Sequence, residues 1–159
     1  VIKLKAEKYF NRRGSFKVGL YGEVVWSTQT LFQNYTASIL SAPAFQPTPD
    51  SRTLFLEDYR AHKYMAGGIK LVMNIRKNIE LRAEGYIFQP SQSLIRNELN
   101  KTDYSQPFAL QHYIATAAIV WHTPVGPMSL SVNYYDKQSD AFPILFHFGY
   151  ILFNRRALD

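Results

Sequence analysis

Hydrophobic and polar residues alternate along most of this chain with a period of two. The separation is strictest over 128–135. Met128, Leu130, Val132 and Tyr134 take one set of alternate positions, and Ser129, Ser131, Asn133 and Tyr135 take the other. Successive strand residues point to opposite sides of a sheet, so this is a strand with one large apolar face and one small, hydroxyl-bearing face. The pattern recurs over 1–10, where Ile2, Leu4 and Ala6 oppose Lys3, Lys5 and Glu7. Over 15–27, Phe16, Val18, Leu20, Val24 and Trp26 oppose Lys17, Gly19, Tyr21 and Glu23. Over 79–89, Ile79, Leu81, Ala83, Gly85 and Ile87 oppose Glu80, Arg82, Glu84, Tyr86 and Phe88. Further strands are predicted over 34–40, 62–75 and 108–122. In the closing aromatic stretch, Phe146, Phe148, Tyr150 and Leu152 alternate with His147, Gly149, Ile151 and Phe153.

The pattern therefore predicts an all-β chain, an antiparallel meander of about eight strands in a single unit over 1–159. Most of the strands run to about 10–14 residues. Soluble strands average about 5–6 residues, whereas a strand crossing a bilayer obliquely needs about 9–11. Length and alternation together point to a transmembrane β-barrel. Turns are expected at 28–33, 76–78 and 123–126, on one side of the sheet. Loops at 41–61, 90–107 and 137–143 fall on the other, with the short turn 11–14 placed among them. Pro43, Pro47 and Pro49 exclude a central strand from the first long loop. Trp26 and Trp121 both fall at the short-turn ends, where an aromatic girdle belongs. A soluble β-sandwich shares the alternation but leaves the strand length unexplained.

Composition narrows the chemistry. The formal charge is +6, with basic residues scattered and no nucleic-acid motif, so a nucleic-acid partner is not expected. There is no cysteine, which excludes disulfides and thiolate metal sites. His62, His112, His122 and His147 lack ligand spacing, so neither a metal nor another cofactor is expected. No nucleophile elbow or phosphate loop occurs, so no catalytic residue is assigned. Charges sit opposite the apolar faces. A tight 76–78 turn sets Lys70 across from Glu84, as an inward ion pair. Arg60, from the long loop, is expected to reach Glu84 or Glu80 and pin the loop inside the barrel. Val1 opens within a strand-like pattern, which suggests a piece of a longer chain.

The stretch Trp121-His-Thr-Pro-Val-Gly-Pro-Met-Ser-Leu-Ser-Val-Asn-Tyr resembles the strand pair near the end of the outer-membrane assembly-factor and two-partner-secretion transporter superfamily, bacterial surface antigen type. Asn34-Tyr-Thr-Ala-Ser-Ile-Leu, Ala42-Pro-Ala-Phe-Gln-Pro-Thr-Pro-Asp-Ser, Tyr59-Arg-Ala-His-Lys-Tyr-Met-Ala-Gly-Gly and Leu81-Arg-Ala-Glu-Gly-Tyr-Ile-Phe-Gln-Pro are similar to the C-terminal barrels of Bacteroidetes-type patatin-like phospholipases. The resemblance implies the C-terminal half of an outer-membrane barrel, with loop 41–61 folded into the lumen through Arg60. Phe148, Gly149, Tyr150 and Phe153 would form the terminal strand signal. It implies an upstream patatin-like lipid acyl hydrolase, absent from this chain, that the barrel anchors and either translocates or positions. The implied partners are outer-membrane lipids, the upstream half-barrel and periplasmic domain of the same chain, and the outer-membrane assembly machinery. A complete eight-stranded barrel and an insertion or secretion barrel without an enzyme remain alternatives.

Overall fold

A computed structural model describes residues 1–11, 15–97, 101–136 and 142–149. Among the described residues the chain is all-β and antiparallel apart from one short helix and two 3-10 turns. Seven strands form one sheet: β1 (Ile2–Asn11), β2 (Phe16–Trp26), β3 (Lys63–Arg76), β4 (Ile79–Pro90), β7 (His112–Thr123), β8 (Gly126–Tyr135) and β9 (Ile144–Phe148). They are ordered β1-β2-β3-β4-β7-β8-β9. A small second pair, β5 (Leu94–Arg96) and β6 (Thr102–Tyr104), lies in the 90–107 loop.

The expected third strand is the helix α1 (Tyr35–Ser41). Asn34 caps it by accepting the Thr36 N–H at 2.8 Å. Pro43 holds the preceding Ala42 extended and stops the helix. With no strand there, β2 pairs directly with β3 from Phe16↔Met73 to Trp26↔Lys63. The stretch 27–62 becomes a single excursion, and 28–33 is not a turn between strands.

That change re-sorts the ends of the sheet. The connections 12–15, 77–78 and 124–125 are all short and share one end. The connections 27–62, 91–111 and 136–143 share the other. The 11–14 turn therefore joins the short turns rather than the long loops. Trp26 and Trp121 correspondingly stand at opposite ends, since Trp26 pairs with Lys63 at the start of β3 and Trp121 pairs with Ile79 at the start of β4.

The two faces are inverted relative to a soluble sheet. Apolar side chains on one face are open in every strand of this sheet: Leu4 68%, Val24 51%, Ile69 53%, Ile87 45%, Ile119 50%, Leu130 48% and Phe146 65% exposed. The other face buries Glu23, Lys70, Ser131 and Asn133 among aromatic rings. Two glycines on this polar face make room for rings. A Cβ on Gly68 would sit 2.2 Å from the ring of Tyr86, its cross-strand partner, and one on Gly19 would sit 2.8 Å from Tyr9.

The excursion covers the polar face. Pro43–Phe45 and Tyr59–Ala61 run antiparallel as a stem, with Phe45 N–H on the Tyr59 carbonyl at 2.8 Å and Ala61 N–H on that of Pro43 at 3.2 Å. Phe45 and Tyr59 then pack with Tyr21, Tyr64, Tyr86, Phe88, Ile114 and Tyr135 of the sheet in one buried cluster. Burying a ring of this size stabilises by roughly 3 kcal/mol. α1 lies apart, with Tyr35, Ile39 and Ala42 packed on Leu94 of the β5–β6 pair.

Candidate functional site

The tip of the excursion, 46–58, carries one buried acid into the polar face. Thr48 and Ser51 lock the tip reciprocally. The Ser51 N–H donates to Thr48 Oγ1 at 3.2 Å, and the Thr48 N–H donates to Ser51 Oγ at 3.1 Å. This fixes the 3-10 turn Asp50–Arg52. Asp50, 3% exposed, accepts from Ser131 Oγ at 3.0 Å and Asn133 Nδ2 at 2.9 Å on one oxygen, and its other oxygen meets His147 Nε2. Asn133 in turn accepts from Thr116 Oγ1 at 2.8 Å. One carboxylate thus joins the loop tip to β7, β8 and β9. It borders a cavity of about 100 Å³ that also touches Arg82, Glu84 and Ser129.

A second acid holds the stem side. Glu23, 2% exposed, accepts from the hydroxyls of Tyr21 and of Tyr64, the latter at 2.6 Å, and pairs with Lys3 at 3.1 Å. Tyr64 OH also lies 3.2 Å from the Ala44 carbonyl of the stem. Tyr59 OH donates to the Tyr113 carbonyl at 2.6 Å. Burial raises the Tyr59 pKa, so its hydroxyl stays protonated as that donor.

Arg60 does not reach Glu84 or Glu80. Its Nη1 donates to the carbonyls of Ile39, Leu40 and Ala42 at 3.2–3.3 Å, closing the C-terminal end of α1, and its guanidinium stacks on Phe55 at 4.7 Å. Helix-end carbonyls are orphan acceptors with partial negative charge, which suits a guanidinium. Desolvation lowers the Arg60 pKa. Arg60 therefore anchors the helix to the stem, not the loop to the sheet.

Lys70 and Glu84 are cross-strand partners in the register, as the tight turn requires. Their side chains go elsewhere: Lys70 Nζ pairs with Glu7 at 2.8 Å, while Glu84 accepts from the Tyr86 hydroxyl. Glu80 pairs with Arg82 at 2.7 Å and His122 at 3.3 Å. The polar face thus carries ion pairs at two ranges, Lys70–Glu7 reaching from β3 across β2 to β1 and Glu80–Arg82 lying within β4. Of the expected terminal signal, Phe148 ends β9 and Gly149 follows with φ +93, its N–H on the Pro127 carbonyl at 2.9 Å. Tyr150 and Phe153 lie outside the described residues.

Sequence reasoning missed Asp50. The only signal was an acid inside a proline-bounded run, Pro47-Thr48-Pro49-Asp50, facing strands whose alternate positions are Ser and Asn. No cluster of His, Asp and Glu among the described residues is arranged to hold a metal. No helix of the described residues is long and apolar enough to cross a membrane, which says nothing of crossing by strands. No family model, no curated protein and no solved structure matches the chain.

Proposed function

We propose that this chain is the C-terminal portion of an outer-membrane β-barrel whose lumen is occupied by the 27–62 excursion. One observation carries the reading. The face open to the surroundings is apolar across all seven strands, while the face that holds the charges is covered over β2, β3, β4, β7 and β8 by the chain's own loop, which packs on Tyr21, Tyr64, Phe88, Ile114 and Tyr135. In water this arrangement leaves a large apolar surface bare. In a bilayer it satisfies both sides, with lipid tails outside and hydrogen-bonded polar groups within. Short turns at one end and long connections at the other support the same reading, as do strands of 10–14 residues among the six longest.

The role in the parent protein follows the resemblance of 34–40, 42–51, 59–68 and 81–90 to patatin-like phospholipase barrels. The barrel anchors and positions an upstream acyl hydrolase, and contributes no catalytic residue of its own. The test is fractionation of cells producing the full-length protein. It should resist alkaline extraction from the outer membrane, dissolve in detergent, and shift in gel mobility on boiling. Lipase activity should accompany the same band. Recovery in the soluble fraction would end the barrel reading, and an integral band without lipase activity would end only the hydrolase connection.

A further inference from the structure

The apolar face of the sheet is not even. A groove of about 830 Å³ crosses β1 to β4 near the long-connection end. The register explains it. Ala6, Gly22, Gly67 and Ile87 are successive cross-strand partners, so one row of the face carries almost no side chain over three strands. The rows on either side carry Leu4, Val24 and Met65, and Leu20 and Ile69, all exposed. Lys5, Glu23 and Ala66 also border the groove, but they take the intervening positions, whose side chains turn to the polar face.

Nothing inside the chain requires glycine at Gly22 or Gly67. A Cβ on Gly22 would meet nothing within 4 Å, and one on Gly67 would meet only the Tyr21 carbonyl at 3.9 Å. Neither has a positive φ. Gly19 and Gly68 on the polar face differ, since neighbouring rings fill their space. Glycine weakens a strand interior, and where no internal neighbour needs the space it marks close approach from outside the chain.

The dimensions and the rim select what approaches. Same-face rows lie about 7 Å apart along a strand, so the flanking side chains rise from backbone about 14 Å apart. Their own bulk leaves room for an extended hydrocarbon chain but not for a helix about 10–12 Å across. Gln89 and Gln111 border the β4 end of the groove as neutral polar groups. Lys63 is exposed and stands diagonal to Gln89 in the β3–β4 register. Its ammonium lies 4.4 Å from the Trp26 ring centroid on the same face. From this end of β1–β4 down to the Gly22–Gly67 row, Lys63 is the one charge among the outward positions.

We propose that the groove holds the acyl chain of an anionic lipid whose headgroup lies against Lys63 and Trp26. The proposal rests on the membrane reading above and adds a fixed lipid site to it. An ammonium has three donors, and a ring contact leaves donors for an anionic oxygen. Tryptophan belongs at headgroup depth. Barrel strands tilt about 35–45°, so a groove crossing them descends obliquely from that depth into the hydrocarbon, as an acyl chain does.

The test is native mass spectrometry of the full-length protein released from detergent. It is titrated with palmitoyl-oleoyl phosphatidylglycerol and, separately, with the phosphatidylcholine of the same chains. A saturable phosphatidylglycerol adduct is expected, with phosphatidylcholine at least about tenfold weaker. Gly67→Leu, which fills the groove, and Lys63→Met should each weaken the phosphatidylglycerol adduct at least about tenfold. Ala117→Leu, at an exposed position of β7 on the same face, should leave it unchanged. Lys63 is exposed, so its variant tests the site even where the Gly67 substitution disturbs folding. No saturable adduct, equal binding of the two lipids, or binding undiminished in a folded form of either variant overturns the proposal. A protein dimer lost in Gly67→Leu overturns it in favour of a second copy. Any of these results in a protein that still resists alkaline extraction ends the lipid site alone, and a protein extracted as soluble ends the membrane reading with it.

Discussion

Asp50 puts a carboxylate where the sheet offers donors. Ser131, Asn133 and His147 all turn toward it, and each would lose its acceptor if the acid were removed. A hydrogen bond to a buried charge contributes about 1.5–3 kcal/mol, and leaving partners unsatisfied adds to the loss. Asp50→Ala should therefore destabilise the folded protein by about 3 kcal/mol in urea unfolding from lipid vesicles. Arg60→Ala should cost less, because it leaves no buried charge unpaired, and one of the carbonyls it frees, that of Leu40, lies at the surface. A larger loss for Arg60→Ala than for Asp50→Ala would reverse the roles assigned here.

His62 carries a pH signature. Its folded pKa lies below the ordinary histidine value because charging it requires desolvation. In the window between that depressed value and about 6.5, the unfolded chain binds more protons than the folded one. The neutral ring's contribution is present above about pH 6.5 and is lost as pH falls through the window. His62→Phe should narrow the difference in unfolding midpoint between pH 7.5 and pH 5 relative to the parent. An equal difference in both proteins would show that His62 does not titrate in this way.

At the scale of elements, the sheet strands were legible because each pairs one apolar face with one polar face. A one-residue slip would exchange the two faces, so the alternation fixes register as well as extent. Helix α1 was not legible from alternation. Tyr35-Thr36-Ala37-Ser38-Ile39-Leu40 contains β-branched and aromatic residues that suit a strand, but Asn34 and Pro43 bound a segment of helical length. Misreading that one element displaced the 11–14 turn and Trp26 to the wrong ends. The anchors were hidden for a different reason. Asp50 meets partners 81 to 97 residues away, and Arg60 binds backbone carbonyls, which have no sequence signature.

The excursion is the element with the most direct functional consequence. Its stem and tip bury the aromatic cluster and occupy the polar face, where a barrel would otherwise hold water. Replacing 46–58 with a short glycine-serine linker in the full-length protein removes the Asp50 plug but leaves the sheet pairing. Single-channel recording in planar bilayers should then show a conductance well above that of the parent. Identical conductance in the two proteins would mean that the tip does not obstruct a pore.

Across the whole molecule, the inversion of faces is the observation on which the membrane proposal rests. The apolar face spans every strand of the seven-stranded sheet, and Glu23, Asp50, Ser131 and Asn133 on the polar side are hydrogen-bonded by the chain's own groups. The edges of β1 and β9 end the sheet among the described residues, and lipid does not tolerate unpaired backbone groups. Within a barrel, both edges must therefore be paired, with each other or with strands beyond this sheet.

The central claim is that the open apolar face meets lipid. The most direct measurement places single spin labels along β8 of the full-length protein in lipid vesicles, at Met128, Ser129, Leu130, Ser131 and Val132, since this chain carries no cysteine of its own to compete for labelling. Collision rates with oxygen, which concentrates in lipid, and with a water-soluble nickel complex are then compared. Oxygen accessibility should rise at Met128, Leu130 and Val132 and fall at Ser129 and Ser131, with the nickel complex excluded from the first three. Free access of the nickel complex to Leu130 and Val132 would place that face in water and contradict the membrane reading.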